Sequence, residues 1–274
     1  MRVLRAAFST LGPVAPAWAA RCAGHLFRRP PRRAARAEEV RFLASGVPFR
    51  IPHGAGSLAA WQWGTTGPLT ILVHGWGSRA GRWHALAPLL AEDGFRVLAY
   101  DAPAHGASSG DLASLPQFVR ALETVVAHVA EPPMLLIGHS LGGSAVAMAM
   151  LRGVAAERAV LLSVPAEQRV FAERFADALA LPESVRGMMS SQLEARFGFT
   201  WEDFRLPDLV GQLDAPALII HDRQDPDVAF ESAERIRDAW PGSELLATSG
   251  LGHSGVLNDP AVTRRIREFA GAGR

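Results

Sequence analysis

Met134-Leu135-Leu136-Ile137-Gly138-His139-Ser140-Leu141-Gly142-Gly143 runs from a short apolar segment into an abrupt turn. An Ala/Met-rich segment from Ser144 to Leu151 then follows with helical character. A serine on such a strand-to-helix turn has its hydroxyl pushed out at the carboxyl end of a sheet. Glycines two residues to either side remove side chains that would collide there. The helix that follows offers unpaired backbone N–H groups and a partial positive charge to an anion. The arrangement suits a nucleophile. The pattern Gly-x-Ser-x-Gly is common by chance, so its weight depends on the rest of the chain.

Upstream, Val40 to Arg50 and Leu58 to Trp63 read as two strands joined by a turn at Pro52-His53-Gly54-Ala55-Gly56. Leu69 to Val73 reads as a buried strand ending in His74-Gly75-Trp76-Gly77, and Trp83 to Ala91 as a helix closed by Asp93-Gly94. Val97 to Tyr100 is the next strand. In the following segment Leu115, Phe118, Val119, Leu122, Val125, Val126 and Val129 mark one face of a helix. Ala159 to Ser163, Pro216 to Ile220 and Glu244 to Ala247 read as further strands, and Phe230 to Trp240 and Val262 to Ala270 as helices. Strands alternating with helices at this rhythm predict an α/β fold with a mostly parallel central sheet flanked by helices. Functional groups in such sheets gather in loops beyond the carboxyl ends of the strands.

The rhythm breaks between residues 165 and 213, where helical segments at Val170 to Leu181 and Pro182 to Phe197 appear without a strand. Long excursions in compact domains are commonly lids or binding loops, so residues 165–213 read as a small helical cap inserted over the site. The core is then residues 38–164 and 214–274. Met188, Met189 and Trp201 in the cap are candidate substrate contacts, although the same side chains also suit the cap's own buried face.

The chain has 274 residues, 49% of them hydrophobic, enough for a sizeable core. A formal net charge of +1 gives no general invitation to nucleic acid. Every basic Lys/Arg position is arginine, which reads as base-composition bias in the genome. The single cysteine, Cys22, excludes an internal disulfide and a Cys-rich zinc site, and fits a reducing, cytoplasmic setting. Residues 1–37 form an Arg-rich leader carrying Arg2, Arg5, Arg21, Arg28, Arg29, Arg32, Arg33 and Arg36, with no acid before Glu38. Met1 to Ala20 has the look of a poor signal peptide, interrupted by Gly12, Pro13 and Pro16, and is too short and broken to span a bilayer. Its bland reading is a packed or loosely attached helix. Its sharper reading is peripheral attachment to an anionic membrane.

A serine hydroxyl needs a base to take its proton and a third group to orient that base. Downstream of Ser140, Asp225 lies in the turn after the strand Pro216–Ile220, and His253 in the glycine-flanked loop after Glu244–Ala247. Asp225 alone reads equally well as a turn-capping aspartate, and His253 alone as a surface residue. Their joint placement at strand ends, with Ser140, is what points to catalysis.

From about Val40 to its C-terminus the chain resembles the α/β-hydrolase-fold serine hydrolases. The resemblance rests on His74-Gly75-Trp76-Gly77, Asp101-Ala102-Pro103-Ala104-His105-Gly106-Ala107-Ser108, Gly138-His139-Ser140-Leu141-Gly142-Gly143, His221-Asp222-Arg223-Gln224-Asp225 and Gly252-His253. It implies Ser140 as nucleophile, His253 as general base and then acid, and Asp225 as the orienting acid, in the chain order typical of that fold. It implies an oxyanion hole made of the backbone N–H groups of Trp76 and Leu141. Asp222 and Asp227 compete with Asp225 for the acid's role; the family's His-x-x-x-Asp turn favours Asp225. Ala104 stands where relatives commonly have glycine, so a positive φ there would strain the loop. His105 and His139 read as structural. His74 reads as a brace for the oxyanion loop and, secondarily, as a substrate contact. Serine at 140 argues against the haloalkane-dehalogenase and epoxide-hydrolase branches, which use an aspartate there.

The resulting expectation is hydrolysis of a small-molecule carboxylic ester or thioester through an acyl-enzyme, with no metal or organic cofactor. The same triad serves C–C bond hydrolases, peptidases and acyltransferases. A chain of a different class, a non-catalytic membrane-tethered binding protein, would have no need of an intact triad.

Overall fold

The computed structural model of the chain describes residues 2–272. Its contacts divide the chain into two units, Pro31–Ala166 with Leu206–Arg274, and Met1–Pro30 with Glu167–Arg205.

The larger unit is built on one eight-stranded sheet. Its strands are β1 (Val47–His53), β2 (Gly56–Trp63), β3 (Leu69–Val73), β4 (Arg96–Tyr100), β5 (Leu135–His139), β6 (Arg158–Leu162), β7 (Ala217–Asp222) and β8 (Glu244–Thr248). They lie in the order β1-β2-β4-β3-β5-β6-β7-β8. The β1–β2 hairpin and the β2–β4 pair are antiparallel, and all pairs from β4 to β8 are parallel. Every residue of β3, β5 and β7 is buried. This is why these strands are continuous apolar runs: with both faces covered, no alternation is needed. Chain order reverses at β3, which sits between β4 and β5, so the loops after β3 and β5 leave the sheet side by side. Such a crevice is where open α/β sheets bind ligands.

Two segments depart from the sequence reading. Val40 to Arg50 is not one strand, because a helix spans Ala37–Ala44 before β1 begins. Glu39 Oε2 accepts the Arg36 N–H at 3.2 Å and caps that helix, while Phe42 stacks on Trp63 with ring centroids 4.2 Å apart. The apolar residues Val40, Phe42 and Leu43 were too few to reveal a helical period. Trp83 to Ala91 is likewise broken, into a 3-10 turn at Ala80–Trp83 and a helix at Ala87–Glu92. Pro88 lies in the first turn of the later helix, where its missing N–H costs nothing.

The smaller unit is helical. Helices at Arg2–Leu11 and Pro16–Phe27 pack with helices at Arg169–Leu179 and Glu183–Phe197 around Ala19, Ala20, Ala23, Ala172, Ala176, Met189, Leu193 and Trp201. Ala20 and Gly24, one turn apart, let the second helix come close; a Cβ at position 24 would touch Leu193 Cδ2 at 3.7 Å. Arg5 Nε donates to the Ala178 carbonyl at 2.7 Å, and the Phe27 and Phe175 rings lie 5.3 Å apart. The helices at Arg2–Leu11 and Pro16–Phe27 are thus packed on the inserted helices. Pro31 to Ala37, assigned by sequence to the leader, belong to the sheet-bearing unit. Val3, Val14 and Trp18 remain exposed. Among the described residues no helix is long and apolar enough to cross a membrane.

Candidate active site

Ser140 sits between β5 and the helix Leu141–Leu151 with φ 52° and ψ −123°, a conformation that costs an ordinary L-residue on the order of 1–3 kcal/mol. The surrounding structure imposes it by close approach. A Cβ at Gly142 would lie 2.3 Å from the Val73 carbonyl oxygen, and one at Gly138 would lie 2.4 Å from Gly143 Cα. Helix and strand ends are therefore pressed together, and the serine must take the turn between them. Leu141 N–H is the first of that helix and has no intrahelical acceptor.

The loop after β3 carries Trp76, and two buried histidines hold it. His74 Nδ1–H donates to the Gly75 carbonyl at 2.7 Å, and its Nε2 accepts the Ala102 N–H at 2.9 Å. His105 Nδ1–H donates to the Pro103 carbonyl at 2.9 Å, and its Nε2 accepts the Gly77 N–H at 2.9 Å. Each ring must be neutral to make this pair of bonds. Burial lowers His74 to about 4, and lowers His105 to about 3 with His74 adding to the effect. Asp101 closes the same region, accepting from the Ala80 N–H and the Ala107 N–H at 2.7 Å each. His74 is therefore excluded as a substrate contact: it is buried and both ring nitrogens are spent on backbone. Ala104 does adopt a positive φ, 65°.

Asp225 and His253 come together from the loops after β7 and β8. His253 Nδ1–H donates to Asp225 Oδ2 at 2.8 Å, so in the neutral ring Nε2 carries the lone pair. Asp225 Oδ1 accepts the Asp227 N–H at 2.8 Å and the Val228 N–H at 3.0 Å. His221 Nε2 approaches Oδ2 at 3.4 Å and donates to the Val228 carbonyl at 3.0 Å. Burial on its own pushes the Asp225 carboxyl up, but the bonds from His221, His253 and Val228 outweigh it and hold the group well below the usual carboxylate range. Asp222 is occupied elsewhere, accepting from Thr248 Oγ1 at 2.8 Å, Leu251 N–H at 3.0 Å and Gln224 N–H at 3.0 Å. It pins the two loops to each other and has no bond to the His253 ring, whereas the exposed Asp227 meets Asp225 through its backbone.

His139 joins the two halves of the site. Its Nε2–H donates to the His253 carbonyl at 2.8 Å, tying the His253 loop to the residue before Ser140. Burial, with the nearby His253 adding to it, lowers His139 to about 3, so the ring stays neutral.

Ser140, His139, His253 and Trp76 line one cavity of about 260 Å³, together with Arg33, Arg36, Glu39, Arg79 and Arg82. None of the five charged residues was singled out from sequence as part of the site, and no motif marks them. His221 was visible only as the first residue of the His-x-x-x-Asp turn. Asp225, Asp227 and His253 bring three ligand-type atoms within 4.8 Å of one another. A cation there would have to displace the proton shared between His253 and Asp225.

Met189 and Trp201, expected to touch substrate, are in the core of the helical unit at 2% and 6% exposure, with the Trp201 indole donating to Ser190 Oγ at 2.6 Å. They are needed for packing and have no face left for a ligand. Met188 is 40% exposed.

Comparison with known proteins places the chain in a family. The profile of the alpha/beta hydrolase family matches residues 70–266. A protein named "Probable esterase PIR7A" from Oryza sativa subsp. indica is 28% identical over 206 residues, covering 70% of this chain and 69% of that protein. A "Monoacylglycerol lipase" from Mycolicibacterium smegmatis is 34% identical over 105 residues, 36% of this chain and 38% of the relative. The matched stretch spans about a third of a "Serine hydrolase-like protein" from Danio rerio, 35% identical over 105 residues, covering 36% of this chain and 32% of that protein. Among solved structures, the carboxylesterase CesB from Bacillus subtilis superposes with a TM-score of 0.63 at 20% identity, covering 86% of this chain and 99% of that one.

Proposed function

The chain belongs to the alpha/beta hydrolase family, and from that premise we propose that it cleaves a carboxylic ester or thioester through an acyl-enzyme on Ser140. His253 Nε2 takes the proton of the Ser140 hydroxyl as its oxygen attacks the substrate carbonyl. The carbonyl oxygen becomes an oxyanion, received by the N–H groups of Trp76 and Leu141, each such donor lowering the barrier by roughly 3 kcal/mol. The protonated His253 gives its proton to the departing alkoxide or thiolate. A water molecule, deprotonated by the same nitrogen, then attacks the acyl-enzyme and releases the carboxylic acid, and the proton returns to Ser140. Asp225 stabilises the imidazolium and keeps Nδ1 protonated. His221 positions Asp225, and the His74–His105 pair positions the Trp76 loop.

The observation that carries this reading is the 2.8 Å bond from His253 Nδ1 to Asp225, which leaves Nε2 as a base in the cavity that Ser140 lines. A fluorophosphonate probe should label the wild type and leave Ser140→Ala unlabelled, and short p-nitrophenyl esters should be turned over only by the wild type. Labelling and turnover that persist in Ser140→Ala would overturn the assignment.

A further inference from the structure

The cavity wall beside Ser140 has four arginines against one carboxylate, Glu39. Glu39 is buried, with its side chain 4% exposed, and it faces two guanidiniums at once: Arg79 Nε at 3.7 Å and Arg82 Nη1 at 3.8 Å. Both arginine side chains are themselves largely withdrawn from water, at 16% and 15% exposure. The Glu39 charge is thus divided between two desolvated positive ones, at separations longer than a hydrogen bond, with Glu38 acting on Arg82 and Asp101 on Arg79 from farther off. Arg36 stands at the rim, its guanidinium paired with Glu38 at 3.9 Å. Burial depresses Arg82; Glu39 and Glu38 offset part of that and Arg36 deepens it.

Keeping an incompletely compensated guanidinium out of water is costly. The cost is recovered when an anion enters: the planar guanidinium fork matches a carboxylate or phosphate, and the interaction strengthens where water is excluded. Arg79 is also pre-set, since its Nη2 donates to the Arg33 carbonyl, which draws the Pro31–Arg36 segment into the cavity wall. This inference rests on the ester-hydrolase reading of the same cavity and names its substrate class.

We propose that the site selects esters or thioesters bearing an anionic group, a carboxylate or a phosphate, which Arg79 and Arg82 hold with Arg33 and Arg36 at the mouth while the carbonyl lies against Ser140. The neutral counterpart lacks the group that completes the charge of the wall.

The test compares kcat/KM for mono-4-nitrophenyl adipate with that for 4-nitrophenyl hexanoate, which presents a similar chain without the carboxylate. A second pair, butyryl-CoA against S-butyryl pantetheine, asks whether phosphate fills the role instead. The anionic member of at least one pair should be preferred by about tenfold or more, with the preference shrinking as salt is raised. Arg82→Gln should lower the anionic-to-neutral ratio by about tenfold, and Arg82→Lys should restore part of it. The exposed Arg33→Gln should lower the ratio less, and it gives an informative variant if Arg82→Gln does not fold.

Calorimetry of Ser140→Ala with monomethyl adipate against methyl hexanoate, and with butyryl-CoA, reads binding without turnover. Equal handling of both members of each pair in a Ser140-dependent reaction would overturn this inference and leave the hydrolase reading standing. Anion-selective binding with no Ser140-dependent turnover would do the reverse. Absence of selective binding in the calorimetry overturns the inference whatever the kinetics show.

Discussion

The sheet-bearing unit and the helical unit are assembled by opposite routes. In the first, strands and helices alternate along the chain, each local stretch carrying its own period, and the candidate site's side chains come from loops at one end of the strands. In the second, residues 2–27 pack on residues 169–197, two segments separated in the chain by β1 through β6. The first announces itself through repeated local pattern. The second has no such pattern, because its fit is made by Ala19, Ala20, Ala23 and Gly24 accepting Met189 and Leu193 from a distant segment. An arginine-rich start and an aromatic-rich insertion, each easy to interpret alone as a membrane arm and a substrate-gripping cap, bury their apolar residues largely in each other.

If the chemistry belongs to the sheet-bearing unit, the largest effects follow from its loops. Asp225→Asn should reduce kcat for ester hydrolysis by about 10⁴-fold, since an amide facing Nδ1 favours the tautomer with the proton on Nε2, where the base is needed. Steady-state kinetics with the protein's folding checked by circular dichroism would measure it. A loss below tenfold would shift the orienting role to Asp222 or Asp227.

Acid should act next, and selectively. His74, His105 and His139 are held neutral, lowered from 6.5 to about 4, about 3 and about 3. Between those values and 6.5 the unfolded chain binds more protons than the folded one, so stability falls as pH drops through that window. At pH 5 the loss is roughly 2 kcal/mol for each histidine. Asp225 adds to it at still lower pH, because its carboxyl is depressed and its contribution disappears as it is protonated. Asp101, which burial pushes upward, works in the opposite sense above its unfolded value. The helical unit's one histidine, His25, is exposed. Hydrogen exchange from pH 7 to pH 5 should therefore lose protection in β3 to β5 before the helices Pro16–Phe27 and Glu183–Phe197; simultaneous loss would contradict the contrast.

Overpacking probes the other unit. Ala23→Leu should destabilise it by about 1–3 kcal/mol, because the added methylenes have to displace well-packed neighbours in its core. Faster exchange confined to residues 16–27 and 183–197 is the expected signature. The smallest effect is Ala104→Gly. It relieves a left-handed alanine but loosens the unfolded chain, so thermal denaturation should show a gain of no more than about 1 kcal/mol.

Much of the sheet-bearing unit was legible from sequence because burial on both faces leaves unbroken apolar runs such as Leu69–Val73, and because Leu115–Val129 repeats its apolar residues at a helical period. The helix at Ala37–Ala44 was not, since Val40, Phe42 and Leu43 fit either period and the deciding contacts are the Glu39 cap and the distant Trp63. Within the candidate site, Ser140, Asp225 and His253 could be named because strand-end position and glycine flanks are local properties. That Asp225 and not Asp222 faces the His253 ring depends on which oxygens the loops turn toward Thr248, Leu251 and Gln224.

By itself, the sequence determined the alternation that makes a parallel sheet, the turn that thrusts Ser140 out of it, and the order in which the polar loops follow. Local spacing and backbone sterics are enough for that. Only the tertiary structure decided that residues 2–27 pack on the inserted helices, that Met189 and Trp201 are core, and that Arg33, Arg36, Arg79 and Arg82 share one cavity with Ser140. Contacts between segments remote in the chain have no periodicity to betray them, and a buried charge becomes visible only once the walls around it are in place.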